Sequence, residues 1–489
     1  MIIAMMITLN IQLDRNSDVT LDRQLYNHIR AAILSGEMKP GMRVLSTREL
    51  SETLKISRST VVDAYKQLIA EGYLDAKAKS NTFVCLELPA SQSGPVPARV
   101  TNKLTELGKR LSKTEVIESP VGEDLEIPFY FWRNALEELP LEQWTKNLWK
   151  RSRVAQSSLL DWGPRAGSMR LRQAIADLVR QTRGIDCSPA QVITTLGYQQ
   201  AMDMISRLFI ARGDLVAMEN PCFMDTRAAI EAYGAELVPI DVDESGLIVE
   251  QLAARTRNDI KLLCLTPSHQ FPTGTILSMS RRMELLDWSR KANTVILEDD
   301  YDSEFRYEGQ PIPALAGLDR NSLVVYVGSF SKILYTSFGI GYMVVPENLV
   351  ELFENMRRLA ADPLPAQMQE ALADFIEEGH LKRHIKHMKP IYEERRSALI
   401  HSLKQHLGHR VTIFGDNAGL HVMARIKSLV PDQILIARCA RVGVGLVSTT
   451  NCYLENPRRG EFVFGYGNLS PEEIREGIRR LSAIVTHSD

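Results

Sequence analysis

Residues 321 to 342 read Asn-Ser-Leu-Val-Val-Tyr-Val-Gly-Ser-Phe-Ser-Lys-Ile-Leu-Tyr-Thr-Ser-Phe-Gly-Ile-Gly-Tyr. Leu323 to Val327 is a short, β-branched apolar run of the kind that forms a buried strand. It ends at Gly328, and Ser329, Ser331 and Lys332 follow. Two hydroxyls and one amine at a strand's end can make a phosphate site with a nucleophile beside it. The same residues can equally be a solvated lysine after an edge strand, so the choice depends on what the chain places around them.

Around this stretch, residues 125 to 489 alternate strand and helix patterns, which predicts an α/β fold with a mostly parallel sheet. Leu171, Ala174, Ile175, Leu178 and Val179 form one apolar helical face, and Val192 to Thr195 reads as a strand. Further short strands are expected at Leu215–Met218, Leu237–Asp241, Leu262–Leu265 and Val295–Leu297. Polar clusters stand at their ends, where such sheets keep their ligands. Gly197-Tyr198-Gln199 opens a helix and offers N–H groups to an anion. Pro267-Ser-His-Gln-Phe-Pro-Thr-Gly274 is a turn-rich loop, and Glu298-Asp-Asp-Tyr301 directly follows an apolar strand. A carboxylate buried there needs a cationic partner; Arg306 would be a plain structural one.

Toward the N-terminus the pattern changes. Leu25, Ile29, Ala32 and Ile33 share a helical face that Gly36 and Pro40-Gly41 stop. Ser46-Thr-Arg-Glu49 is a capping box, and Ser57 caps a third helix with Val61, Ala64, Tyr65 and Leu68 inside. The Lys55-Ile56 link between these two helices has helix-turn-helix spacing. Two short strands, Tyr73–Ala76 and Thr82–Cys85, around Lys79-Ser80-Asn81 add a wing. An α+β winged helix-turn-helix over residues 1–85 is therefore expected. Recognition-helix N-termini meet base edges and phosphates, which puts Ser57, Arg58, Ser59 and Thr60 forward as DNA contacts. Arg48, Lys66, Lys77 and Lys79 suit phosphates. Residues 86–124, with Pro89-Ala-Ser-Gln-Ser-Gly-Pro-Val-Pro97, read as a flexible linker; Thr101 to Leu111 carries some helical periodicity.

The whole chain bounds these readings. At 489 residues, two or three domains are expected. With 44% hydrophobic and 24% charged residues it suits a soluble globular protein. A net charge of −2 means any nucleic-acid footprint must be local. Six scattered cysteines with no CxxC pair argue against zinc and a disulfide framework and fit the cytoplasm. The apolar start lacks the basic region of a signal peptide, and no apolar run reaches membrane-spanning length.

The first 85 residues resemble the GntR family of bacterial regulators in Gly36-Glu-Met-Lys-Pro-Gly41, Ser46-Thr-Arg-Glu-Leu50, Ser57-Arg-Ser-Thr-Val61 and Ala70-Glu-Gly-Tyr-Leu74. They depart where Leu45 replaces proline and Asn81 replaces a wing glycine. Glu298 to Tyr307, Pro267 to Gly274 and Gly328-Ser-Phe-Ser-Lys332 resemble the fold-type I pyridoxal-phosphate enzymes of the aspartate aminotransferase class. Together the two halves look like a MocR-type regulator, an aminotransferase-like domain over residues 125–489 fused to a winged helix. The resemblance implies pyridoxal 5'-phosphate held covalently by Lys332, its ring nitrogen on Asp299 and its ring hydroxyl near Tyr301. Phe223 would stack on the ring. Gly197, Tyr198, Ser329 and Ser331 would cradle the phosphate, and His269 and Gln270 would line the hydroxyl side. It also implies a homodimer, operator DNA and a small-molecule effector.

Three departures follow from the same resemblance. Gly339 stands where the family places an arginine on the cofactor phosphate, a loss of about 1.5–3 kcal/mol. Arg165 would compensate, and Trp162 replaces a usual tyrosine. Asn451 and Asp225 occupy positions where relatives hold a substrate carboxylate with cations. A sensor of a small amine or amino-acid-like effector is therefore expected over an active aminotransferase with an accessory DNA-binding domain. A dimerisation scaffold without cofactor is the third reading.

Overall fold

The computed structural model describes residues 11, 13–15, 17, 19–77, 81–86, 104–112, 125–153, 163–255, 259–307 and 312–486, with backbone alone at Lys77 and Asn81. Two compact units result, Met1–Leu104 and Thr105–Asp489.

The first unit holds α1 (Leu21–Leu34), α2 (Thr47–Leu54), α3 (Arg58–Ala70) and the antiparallel hairpin of β1 (Leu74–Lys77) and β2 (Asn81–Val84). The Ser46 and Glu49 side chains form the reciprocal capping box. Lys55 adopts a left-handed conformation (φ 52°), which turns the chain sharply from α2 into α3. Leu25, Val61 and Leu68 are fully buried in the core, each contributing roughly 1.5–3 kcal/mol of apolar transfer.

The second unit opens with α4 (Glu106–Leu111), capped by the Thr105 side chain. β3 (Ile127–Pro128), α5 (Leu141–Arg153) and α6 (Met169–Arg183) follow. The strands and helices that alternate next are β4 (Val192–Thr195), α7 (Gly197–Phe209), β5 (Leu215–Asn220), α8 (Met224–Tyr233), β6 (Glu236–Asp243) and β7 (Gly246–Leu247). They continue with α9 (Glu250–Arg255), β8 (Ile260–Leu265), α10 (Met279–Ala292), β9 (Val295–Asp300), α11 (Leu315–Leu318), β10 (Val324–Ser329) and β11 (Gly341–Val344). These strands form one eight-stranded sheet in the order β4-β11-β10-β9-β8-β5-β6-β7. Its centre, β10-β9-β8-β5-β6, is parallel and its flanks are antiparallel. The parallel strands are buried on both faces, as their continuous apolar runs require.

A second layer, not anticipated as a separate sheet, completes the unit. After α12 (Val350–Ala360), α13 (Ala366–Glu377) and the long α14 (His380–Leu407) come β12 (Val411–Phe414), β13 (His421–Ile426), α15 (Asp432–Arg441), β14 (Val444–Gly445), β15 (Val447–Ser448), β16 (Glu461–Gly465) and α16 (Pro471–Thr486). The antiparallel order is β12-β13-β16-β15, and β14 pairs in parallel with β3. Leu399, Leu403, Val422, Phe462, Phe464 and Ile478 form its core. Among the described residues no helix is long and apolar enough to cross a membrane.

Several strands run further than their apolar composition suggests, β5 through Glu219 and Asn220 among them. β9 includes Glu298, Asp299 and Asp300 instead of ending before them, and β10 runs on to Ser329. The carboxylates are tolerated because each finds its own surroundings. Glu298 accepts from the N–H groups of Leu315 and Ala316 at 2.8 Å each, at the start of α11. Asp300 pairs with Arg183 Nε at 2.8 Å and accepts from the Tyr326 hydroxyl at 2.7 Å. Strand alternation sends Asp299 to the opposite face.

Candidate functional site

Lys332 lies just beyond β10, and its Nζ donates to the Phe131 carbonyl at 2.8 Å. The Asn134 side-chain amide donates to the carbonyls of Ser331 (2.7 Å), Lys332 (3.2 Å) and Leu334 (3.2 Å). Thr336 Oγ1 closes the clamp by donating to the Trp132 carbonyl at 2.7 Å. Burial lowers the Lys332 pKa to about 8, partly offset by the carboxylates of Asp302 and Asp299. At pH 7.5 roughly a quarter of such an amine is unprotonated, against about one in a thousand for a free lysine. Phe131 and Asn134 carried no motif of their own in the sequence; only the fold brings them, some 200 residues away, onto the lysine.

Asp299 sits opposite Val327 in the β9–β10 pairing, five residues before the lysine. It is 7% exposed, and burial pushes its carboxyl up to about 8, opposed by a hydrogen bond from Tyr198. The other groups weighing on it are the carboxylates of Asp300, Asp302 and Glu219. Arg183 is bound to Asp300 and Glu304 instead, and Arg306 is not among the groups acting on Asp299. Tyr198 also shares a 2.5 Å hydrogen bond with Thr226 in the first turn of α8.

The remaining expected residues surround these two. Gly197 begins α7 at φ 66° and Ser329 Oγ accepts from Ser331 N–H at 3.2 Å. The Phe223 ring is 5.2 Å from Phe271 and 6.5 Å from Phe131. The Tyr301 hydroxyl donates to the His269 carbonyl at 3.0 Å and lies 3.1 Å from His269 Nδ1. His269 Nδ1 donates to Asp302 at 2.9 Å, while its Nε2 is buried with no partner. Gln270 is committed to its own loop: its amide donates to the carbonyls of Pro221 (2.7 Å) and Phe271 (2.6 Å), and its oxygen accepts from Thr273. It shapes the loop and has little left for a ligand.

His421, like Phe131 and Asn134, is a residue of this cluster that sequence reading missed. It opens β13 in the C-terminal sheet and reaches into the site, its ring 4.8 Å from that of His269. Its Nε2 donates to the Pro272 carbonyl at 3.2 Å. Burial and the charges of His269 and Lys332 push its pKa well below the ordinary value, so it is neutral. The strand start is pinned: Gly419 N–H donates to Phe305 O at 2.8 Å. The Gly419 carbonyl accepts from the hydroxyls of Tyr307 (2.8 Å) and Tyr466 (2.6 Å), and Leu420 N–H donates to Asp302 at 3.2 Å. Gly419 is at φ 77°, and a Cβ there would come within 2.1 Å of His269 Cε1 and 2.4 Å of Asp302 Oδ2. His269, Asp302 and His421 offer ligand atoms within 4.8 Å of one another. Because His269 Nδ1 and His421 Nε2 are already spent on Asp302 and Pro272, the group is a hydrogen-bond network. The sequence signal available was a histidine directly after Ala418-Gly-Leu at a strand start.

The positions expected to lack cations show what replaced them. Gly339 takes φ 71° at the end of a short 3₁₀ turn over Thr336–Phe338, a conformation side chains rarely adopt. Arg165 is exposed and donates to Asn355 at 3.3 Å. Asn451 is exposed in the turn Thr450–Cys452. Asp225, half-buried in the first turn of α8, has its pKa raised by burial. Trp162 lies outside the described residues.

In the first unit the expected DNA-contact residues gather at the start of α3. Ser57 Oγ accepts from Thr60 N–H at 3.2 Å and shares hydrogen bonds with Ser59 (2.7 Å) and Thr60 (2.8 Å). Its hydroxyl is therefore mainly a helix cap. Arg58 and Ser59 are exposed beside it. Arg48 and Lys66 are exposed in loose pairs with Glu52 (3.2 Å) and Asp63 (3.7 Å), which cost little to break. Lys79 and the Lys77 side chain lie outside the described residues.

Comparison with known proteins agrees with both halves. Residues 21–84 match the gntR family of bacterial regulatory proteins, and residues 131–481 match aminotransferase class I and II. The chain is 34% identical over 474 residues to the probable rhizopine catabolism regulatory protein MocR of Rhizobium meliloti, covering 96% of this chain and 94% of that protein. The chain belongs to the MocR-type regulators. Another such relative, the pyridoxine biosynthesis transcriptional regulator PdxR of Corynebacterium glutamicum, is 28% identical over 99% of this chain and all of that one. The kynurenine aminotransferase of Pyrococcus horikoshii shares the fold of this regulator's second unit, with a TM-score of 0.73 at 23% identity over 80% of this chain and 98% of that structure. This MocR-type protein is thus a GntR-type transcription regulator carrying a fold-type I, aminotransferase-like domain.

Proposed function

We propose that the second unit binds pyridoxal 5'-phosphate covalently through Lys332 and senses a small amine or amino-acid-like effector, while the first unit binds operator DNA. The observation that carries this reading is the placement, at neighbouring strand ends, of two buried titratable groups, Asp299 and Lys332, each shifted to a pKa near 8 by burial. Such a pair marks a functional site more often than a structural one. The residues present fit the cofactor. Asp299 is a desolvated carboxylate without an arginine, suited to a protonated ring nitrogen, and the buried Nε2 of His269 lacks a partner on the side assigned to the ring hydroxyl.

When bound, the cofactor supplies an aldehyde for amines and an electron-withdrawing ring. The chain's own contribution is positional. Phe131 and Asn134 hold Lys332 at the end of β10, and burial keeps part of its amine unprotonated at neutral pH. Tyr198 orients the Asp299 carboxyl, and Thr226 orients Tyr198. Phe223 offers a face for the ring. The N–H groups at Gly197 and the hydroxyls of Ser329 and Ser331 receive the phosphate without the usual arginine. Ligand-dependent rearrangement of this unit would bias the DNA-bound state of a homodimer. In the first unit Arg58 faces the major groove, with Arg48, Lys66, Lys77 and Lys79 on phosphates.

The test is spectroscopic. Purified protein given pyridoxal phosphate should develop the visible absorbance of a lysine-bound cofactor, and Lys332→Ala should not. Unchanged spectra in the wild type would sink the reading; repeated turnover of amino donors to keto products would favour the aminotransferase instead.

A further inference from the structure

The walls and the charges around Lys332 point to a narrower ligand class, an inference that rests on the cofactor reading above. The Phe131 ring lies 5.7 Å from Lys332 Nζ. Its centroid is 4.9 Å from both Trp132 and Phe271 and 6.4 Å from His421. Phe223 closes the group at 5.2 Å from Phe271. Aromatic rings therefore flank the lysine, and the negative face of such a ring attracts ammonium groups and repels carboxylates.

The charges agree. Asp302 is the larger of the two carboxyl groups acting on Lys332, Asp299 being reserved for the ring nitrogen, and His421 is neutral. Three arginines of the surrounding segments are engaged elsewhere. Arg227 donates to Glu231 and to the Tyr453 carbonyl, Arg425 pairs with Glu461, and Arg133 lies over the Tyr130 ring. A ligand carboxylate entering here would meet aromatic rings and the Asp302 carboxylate. A ligand ammonium would meet the same groups with favourable sign, and an apolar body would bury against the rings.

We propose that the effector of this site is a primary amine on an aromatic or apolar body that lacks an acidic group, and that the Phe131 ring selects it.

Two ligands that differ only in the carboxylate decide the matter. The full-length protein, loaded with pyridoxal phosphate, is titrated with 2-phenylethylamine and with phenylalanine, reading visible absorbance and thermal midpoint. The amine should act at concentrations at least about ten-fold lower, one decade being about 1.4 kcal/mol. Phenylalanine acting at equal or lower concentration would overturn the inference while leaving the cofactor reading intact; absence of cofactor absorbance would remove both. Phe131→Leu keeps the carbonyl that holds Lys332. Compared at equal cofactor occupancy, it should weaken the amine response five- to ten-fold, and an unchanged amine response would exclude the ring as the selecting element.

Discussion

Replacing Asp299 by asparagine should make the cofactor-free protein more stable and the cofactor-loaded protein less so. The folded protein holds this carboxyl at a pKa of about 8, against 3.8 for an unperturbed aspartate. Between those values the folded state binds a proton that the unfolded state has released, so stability falls as pH rises. At about 1.4 kcal/mol per pH unit the burden is about 4 kcal/mol at pH 7; it levels off near 6 kcal/mol above pH 8 and vanishes below pH 4. Asparagine keeps the shape and an oxygen for Tyr198 but carries no titrating proton. Urea denaturation of cofactor-free wild type and Asp299→Asn, from pH 5 to pH 9, should therefore give curves that diverge with rising pH, the variant above. Adding pyridoxal phosphate should reverse the order, because a protonated ring nitrogen gives the carboxylate its missing counter-charge. Parallel pH profiles, or a variant that gains as much from the cofactor as the wild type does, would refute the reasoning.

Other expectations are shorter. Lys332 has the opposite sign: its pKa is lowered from 10.5 to about 8, so its burden is full below pH 8 and lost by about pH 10.5. Lys332→Met should stabilise the cofactor-free protein by about 2 kcal/mol at pH 7, about 3 from the amine less about 1 for the hydrogen bond to Phe131. The same variant should show no cofactor mass after borohydride reduction. Gly419→Ala should cost on the order of 3 kcal/mol in urea denaturation, because a methyl group would collide with His269 and Asp302 at φ 77°. Arg58→Ala should weaken specific operator binding by about 1–3 kcal/mol in fluorescence anisotropy without altering cofactor absorbance, whereas Lys66→Ala should lower affinity for all sequences and reduce the salt slope by about one.

The winged helix was legible because its information is local. Capping residues and apolar spacing act within a few residues, and Ser46 and Ser57 do what their types predict, whereas nothing in the residue type announced the left-handed Lys55. The strands of the large sheet were equally plain as β-branched runs, but their ends were not. Glu298 to Asp300 look like a loop until partners distant in sequence, Leu315 and Arg183, are seen to satisfy them. The site was readable where one motif supplied it, as with Lys332 and Asp299. It was unreadable where the fold brings in a residue of ordinary type: Phe131 acts through a carbonyl, which every residue has, and Asn134 through carbonyls of other residues. The C-terminal sheet stayed hidden because its strands are short and separated by long connections.

The pinned start of β13 has a mechanical consequence. Held through Gly419 and Leu420 by Phe305, Tyr307, Tyr466 and Asp302, this end of the C-terminal sheet would serve as the pivot of any motion of that sheet, because sliding would break these hydrogen bonds together. The six-residue strand leading away is about 20 Å long, so a displacement of a few tenths of an ångström beside His269 would be enlarged several-fold at its far end. The fold thereby sets the short arm of a lever beside His269 and Asp302.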